Sequence, residues 1–138
     1  MLIAGIDQEF ADPCMALGST DWIPHDLELG DAPAVSTDTH VMVRVEAQTA
    51  LVRVRLFRDD GTDPEWDPSF IPVSEGLFHL ADGRLVIGDT LGDSRFVRYV
   101  GGPWWQVRIF VDDPDGYACA VDVVLRRQDE ATLPIHRS

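Results

Sequence analysis

The sequence predicts an all-β protein: an antiparallel β-sandwich of about seven to nine strands in a single domain. Three observations lead there. Residues 41–58, Val-Met-Val-Arg-Val-Glu-Ala-Gln-Thr-Ala-Leu-Val-Arg-Val-Arg-Leu-Phe-Arg, alternate apolar and polar side chains. A period of two is what a half-buried strand needs and an amphipathic helix does not show. The blocks Trp105–Val111 and Tyr117–Arg126 repeat the pattern. Turn residues recur at intervals of roughly ten residues, the spacing of a sandwich or barrel rather than of βαβ units.

Taken in order, Leu2–Ile6 opens as a short strand and Asp12-Pro13 breaks the chain after it. Thr20–His25 reads as loop, because the residue before Pro24 is pushed out of the helical region. Residues 26–40, with Gly30, Pro33 and Ser/Thr/Asp clusters, read as connecting structure. Val41, Val43, Val45 and Ala47 then share one strand face. Val52, Val54 and Leu56 share another, with Arg53 and Arg55 turned outward. Gln48-Thr49-Ala50 is either a turn between these strands or a bulge in one long strand. Phe70–Val73, Leu77–Leu80 and Arg84–Ile87 come next as short strands, and Ala81-Asp82-Gly83 supplies the positive φ angles of a hairpin turn. Arg95–Val100, Trp104–Val111 and Tyr117–Arg126 complete the set. The tail, residues 128–138, is polar and expected to be loose. No helix longer than two turns is predicted.

At 138 residues, the chain can bury roughly two thirds of its unfolded surface and needs no disulfide or metal to hold a core. Its 45% hydrophobic content argues against disorder. The charge is less ordinary: 24 acidic residues oppose 11 basic ones, a net charge of −13, and every basic residue is Arg. Direct binding to nucleic acid or to an anionic membrane requires a basic face, so both are excluded as primary roles. A basic protein partner fits better. Cys14 and Cys119 form no disulfide framework, and the spacing of Cys119 with Tyr117 and Val121 reads as a buried small hydrophobe. The N-terminus lacks the basic region and long apolar run of a signal peptide, and nothing is long enough to span a membrane. The expected location is the cytoplasm.

Catalytic signatures are absent: no Gly-x-Ser-x-Gly elbow, no His-Glu-x-x-His, no phosphate loop. The four histidines share no ligand spacing, so no cofactor is expected. Acid instead concentrates in two turns. Asp59, Asp60, Asp63, Glu65 and Asp67 fall around Trp66, and Asp112, Asp113 and Asp115 form the second group. Such loops could hold Ca²⁺, although the spacing fails the EF-hand pattern, and Asp is also a common turn former. Trp66 is either an interface anchor or a side chain folded back to cover the sandwich. One of Trp104 and Trp105 is expected in the core. Arg44, Arg53, Arg55, Arg108 and Arg126 read as an outward stripe, paired across strands with Glu46 and Asp122.

Val41–Phe57 with Glu46-Ala47-Gln48 at its centre, Ile71-Pro72-Val73-Ser74 with its adjoining hairpin, Gly102–Phe110 and Asp122–Leu125 resemble, in that order, the competence J family of DNA-entry nuclease inhibitors. The resemblance covers residues 20–125. It implies a small, acidic, β-rich intracellular protein without enzymatic activity that restrains a partner nuclease. This chain differs from the family in lacking Lys and in its longer acidic loop at 59–68. No contact motif transfers residue by residue, so the partner-binding residues rest on charge: Asp59, Asp60, Asp63, Glu65, Trp66 and Asp67, with Asp112, Asp113 and Asp115. Two other expectations remain open: a Ca²⁺- or small-ligand-binding sandwich, and a structural module that pairs with a second copy.

Overall fold

The computed structural model describes residues 1–10, 12–19, 27–47, 51–61, 65–80, 82–89 and 95–128. The expectations for Trp22, His25, Asp63, His136 and the tail beyond residue 128 lie outside them. Among the described residues there is no helix, and ten strands form two facing sheets. They are β1 (Leu2–Gln8), β2 (Cys14–Gly18), β3 (Ala34–Ser36), β4 (His40–Arg44), β5 (Val52–Arg58), β6 (Ile71–His79), β7 (Arg84–Asp89), β8 (Arg95–Tyr99), β9 (Trp104–Val111) and β10 (Ala120–Arg127). One sheet runs β1-β5-β10-β9-β6 and the other β3-β4-β2-β7-β8.

The alternating pattern becomes the core. Val41, Val43 and Val45 from one sheet meet Val52, Val54 and Leu56 from the other, together with Trp105, Val107, Ile109, Val121, Val123 and Leu125. Trp105 is the core tryptophan of its pair. Its indole N–H donates to the Gly101 carbonyl at 2.6 Å, while Trp104 is half-buried beside His79.

The all-β expectation holds, with differences that have physical causes. β2 and β3 were not expected. β2 is buried along its whole length, so Cys-Met-Ala-Leu-Gly shows no alternation, and β3 has only three residues. Two predicted short strands are one, β6, with a register shift between Pro72 and Ser74. Proline is tolerated there because β6 is an edge strand. β4 and β5 lie in different sheets. They are therefore neither a hairpin nor one bulged strand, and the chain crosses from sheet to sheet between them. The same holds for β6 and β7. Gly83 has the expected positive φ of 75° and donates its N–H to the Leu80 carbonyl, but the turn carries the chain over the core, between buried Leu80 and Leu85. Finally, β10 pairs antiparallel with β9 but parallel with β5, so that sheet is mixed.

Candidate partner-binding site

The outer face of the β5-β10-β9 sheet carries a small second core. Phe57 and Val124 are buried there, and the chain after β5 crosses over them. Trp66 stacks on Phe110 with ring centroids 6.1 Å apart and meets Phe57 edge-on at 6.3 Å. The Arg108 guanidinium lies 5.2 Å from the Trp66 ring centroid and pairs with Asp59 at 2.9 Å. Its Nε is buried without an acceptor. Trp66 is thus folded back onto the sheet, and Asp59 and Trp66 are both held to it through Arg108.

Beneath that loop, Asp122 is 0% exposed. Its carboxylate accepts from Arg55 Nε at 3.0 Å and Nη2 at 2.8 Å, and from the Asp67 N–H at 3.1 Å. A buried carboxylate is tolerable only with such a full set of partners. The pairing of Arg55 with Asp122 agrees with the expectation, but it is enclosed rather than solvated. The Arg55 guanidinium is held even more firmly protonated, chiefly by the hydrogen bond to Asp122.

The proposed acidic residues divide by role. Asp59 is turned inward to Arg108 and also accepts the Gly61 N–H. Asp67 accepts the Ser69 hydroxyl at 2.7 Å and the Ser69 N–H at 2.9 Å. Those bonds, the hydroxyl first, hold its carboxyl below the usual Asp range. Glu65 pairs with the Met1 amino group at 2.8 Å, and that bond lowers its pKa. Asp60 and Glu65 face solvent.

The second acidic turn joins β9 to β10. Asp112 Oδ1 accepts the N–H groups of Cys119 and Ala120, and Asp113 Oδ1 those of Asp115 and Gly116. All three aspartates are exposed. Arg44 fixes this turn from the opposite sheet: Nε donates to the Gly116 carbonyl at 2.7 Å and Nη2 to Pro114 at 3.0 Å. Arg44 is therefore a strap between sheets, not a member of an outward stripe. Cys119 is exposed, contrary to expectation, because Ala118 and Ala120 take the inward positions.

The two acidic groups stand at opposite ends of β10. The Asp59 N–H binds the Leu125 carbonyl and the Asp112 N–H that of Ala120. Five residues of strand separate these anchors, about 17 Å. Among the described residues, no group of three or more His, Cys, Asp or Glu side chains is placed to hold a metal ion.

This architecture matches solved structures. ComJ from Bacillus subtilis, an inhibitor of the DNA-degrading activity of NucA, superposes with a TM-score of 0.60 over 93% of this chain and 98% of its own, at 10% identity. The fold is competence J-like. A protein titled crocagin biosynthetic gene J matches at TM-score 0.57 and 14% identity, over 91% of this chain and 97% of its own. No family model and no curated protein sequence matches the chain. No helix among the described residues is long and apolar enough to cross a membrane.

On this competence J-like frame, sequence reasoning missed Phe57, Phe110 and Val124, which seat the loop. The signal was present: Val-Asp-Val-Val-Leu at 121–125 is a nearly continuous apolar run, as expected of a strand buried on both faces.

Proposed function

We propose that this protein is a non-catalytic binding protein of the cytoplasm that holds and restrains a basic protein partner, a nuclease. The observation that carries this reading is the pinned acidic loop. Trp66, Asp59 and Asp67 fasten residues 59–61 and 65–67 to the sheet, so the exposed Asp60 and Glu65 stand on a held support. Preorganised charge binds without a further ordering cost. The likeness of the fold to a nuclease inhibitor supports the same reading.

In this proposal Asp60, Asp63 and Glu65 form the principal contact on a support held by Asp59, Trp66 and Asp67, and Asp112, Asp113 and Asp115 form the second. A standard interface covers about 800 Å² per partner, roughly 30 Å across, so one partner can span both groups. Carboxylates would meet Arg and Lys side chains where a nuclease receives phosphates.

The test is capture from native cell extract at low and at moderate salt. A basic nuclease recovered at low salt, lost at moderate salt, and blocked in DNA cleavage by the purified protein is the expected result. Full cleavage by every captured nuclease in the presence of excess protein would defeat the proposal.

A further inference from the structure

The two sheets close against each other where β3 approaches β6. At the other side β1 and β8 are both edge strands, and a seam opens between them. At one end the seam widens into a cleft of about 150 Å³. Trp105 and Leu125 lie at its base, Ile3 and Val100 line it, and Arg58, Arg98 and Tyr99 stand around it. Arg98 alternates with Phe96, which packs on the core, so it sits on the inner side of β8. Tyr99 is 71% exposed. Arg58 also borders a second cleft, of about 310 Å³, with Asp59, Asp60, Gly61, Arg126 and Arg127.

Four of the chain's 11 arginines therefore converge on one end of a molecule whose net charge is −13. Among the described residues, none of Arg58, Arg98, Arg126 and Arg127 forms a salt bridge. Acid is not scarce nearby, but it is engaged elsewhere: Asp59 is neutralised by Arg108 and Glu65 binds the Met1 amino group. Among the described residues, Asp60 is the other carboxylate bordering the clefts. Like charges gathered this closely repel one another, and an anion relieves that repulsion. The Arg58 guanidinium already lies 5.6 Å from the Trp105 ring centroid, which holds its fork in place at the junction of the two clefts.

We propose that this end of the sandwich binds a small organic phosphate, with a flat ring in the seam beside Tyr99 and Val100 and its phosphates against Arg58, Arg126 and Arg127. Guanidinium forks suit phosphate oxygens, which they bind through paired N–H donors. The apolar base of the first cleft suits the ring rather than the charge. The site lies at the other end of β10 from the acidic turn at 112–116 but adjoins Asp59 and Asp60, and it takes a ligand of opposite sign to the proposed protein partner.

The test uses ADP and inorganic pyrophosphate, titrated into the full chain by calorimetry and by ¹H–¹⁵N NMR. Saturable ADP binding, with shifts at Tyr99, Val100 and the Trp105 indole N–H, is the expected result, and pyrophosphate alone should bind at least tenfold more weakly. Arg98→Gln, on an exposed edge strand, and the double variant Arg126→Gln/Arg127→Gln should each weaken ADP at least tenfold. Arg53→Gln, exposed near the opposite end of β5, should not. No saturable binding at millimolar ADP, or equal affinity in all these variants, would overturn the site. Pyrophosphate binding as tightly as ADP would overturn the place given to the ring.

Discussion

Asp122 gathers three hydrogen bonds in a site closed to water, and its dependence on Arg55 is unequal. Arg55 is a quarter exposed and can turn to solvent if its partner is lost, whereas Asp122 has nowhere to go. Arg55→Ala should cost about 3 kcal/mol, the typical penalty for leaving a buried charge unpaired. Asp122→Asn, which keeps the shape and part of the hydrogen bonding, should cost about 1–2 kcal/mol. Urea denaturation of the two variants decides the order. The cysteines make a second pair of unequal sites. Burial foremost, then the charge of Asp12, pushes the Cys14 thiol up to about 12. The exposed Cys119 is raised as well, by local desolvation and then by Asp112, Glu46 and Asp113. A disulfide reagent at pH 8 should therefore modify one thiol in the native protein, more slowly than a free thiol, and two after unfolding. Loss of the native reaction in Cys119→Ser assigns it. Asp67 gives the pH dependence a sign. Its carboxyl is depressed in the folded state, so it stabilises the fold at neutral pH. That contribution is lost as the pH falls below the ordinary Asp range through the folded value. Ser69→Ala should make acid unfolding less steep there, as read by circular dichroism against pH.

The described residues of the loop after β5 act as an element although they form no helix or strand. Trp66 is its peg. Removing a half-buried tryptophan that also sits under a guanidinium should cost about 2 kcal/mol. A double-mutant cycle with Phe110→Ala should return a coupling of about 1 kcal/mol. A coupling near zero would mean the stacking does not hold the loop. The strands facing the core were legible, because alternation in residues 41–45, 52–56 and 105–111 reports one buried face directly. Pairing was not. The residues of an Asp-Gly turn fix local φ angles, and nothing local tells the chain whether the next strand stays in its sheet. β2 and β10 are central strands covered on both sides, and such strands lose the period that betrays half-buried ones. The acidic loop was visible as charge. Its attachment depends on Phe57, Phe110 and Val124, residues brought together only by the sheet. Edge control is legible as well: β8 exposes Val97 and Tyr99, but Arg95 and Arg98 on the same strand oppose edge-to-edge pairing of two copies.

At the scale of the molecule, charge is unevenly spread. Two acidic turns stand about 17 Å apart along β10, while Arg58 and Arg98 border the seam between β1 and β8 and Arg126 and Arg127 border the neighbouring cleft with Asp59 and Asp60. A net charge of −13 draws a basic partner over distances of about a Debye length, roughly 8 Å at physiological salt, and the turns then orient it. Exposure decides which acids to change. Reversing Asp59 would strand Arg108 and confuse folding with binding. Asp60 and Asp115 are both exposed and serve better. The most direct measurement is the association rate of the captured nuclease, monitored by stopped flow from low to moderate salt, with the native chain and with Asp60→Lys/Asp115→Lys. Association at least tenfold slower for the variant at low salt and a flatter salt dependence, with an unchanged unfolding midpoint, is the expected result. Equal rates and equal salt slopes for the two proteins would contradict it.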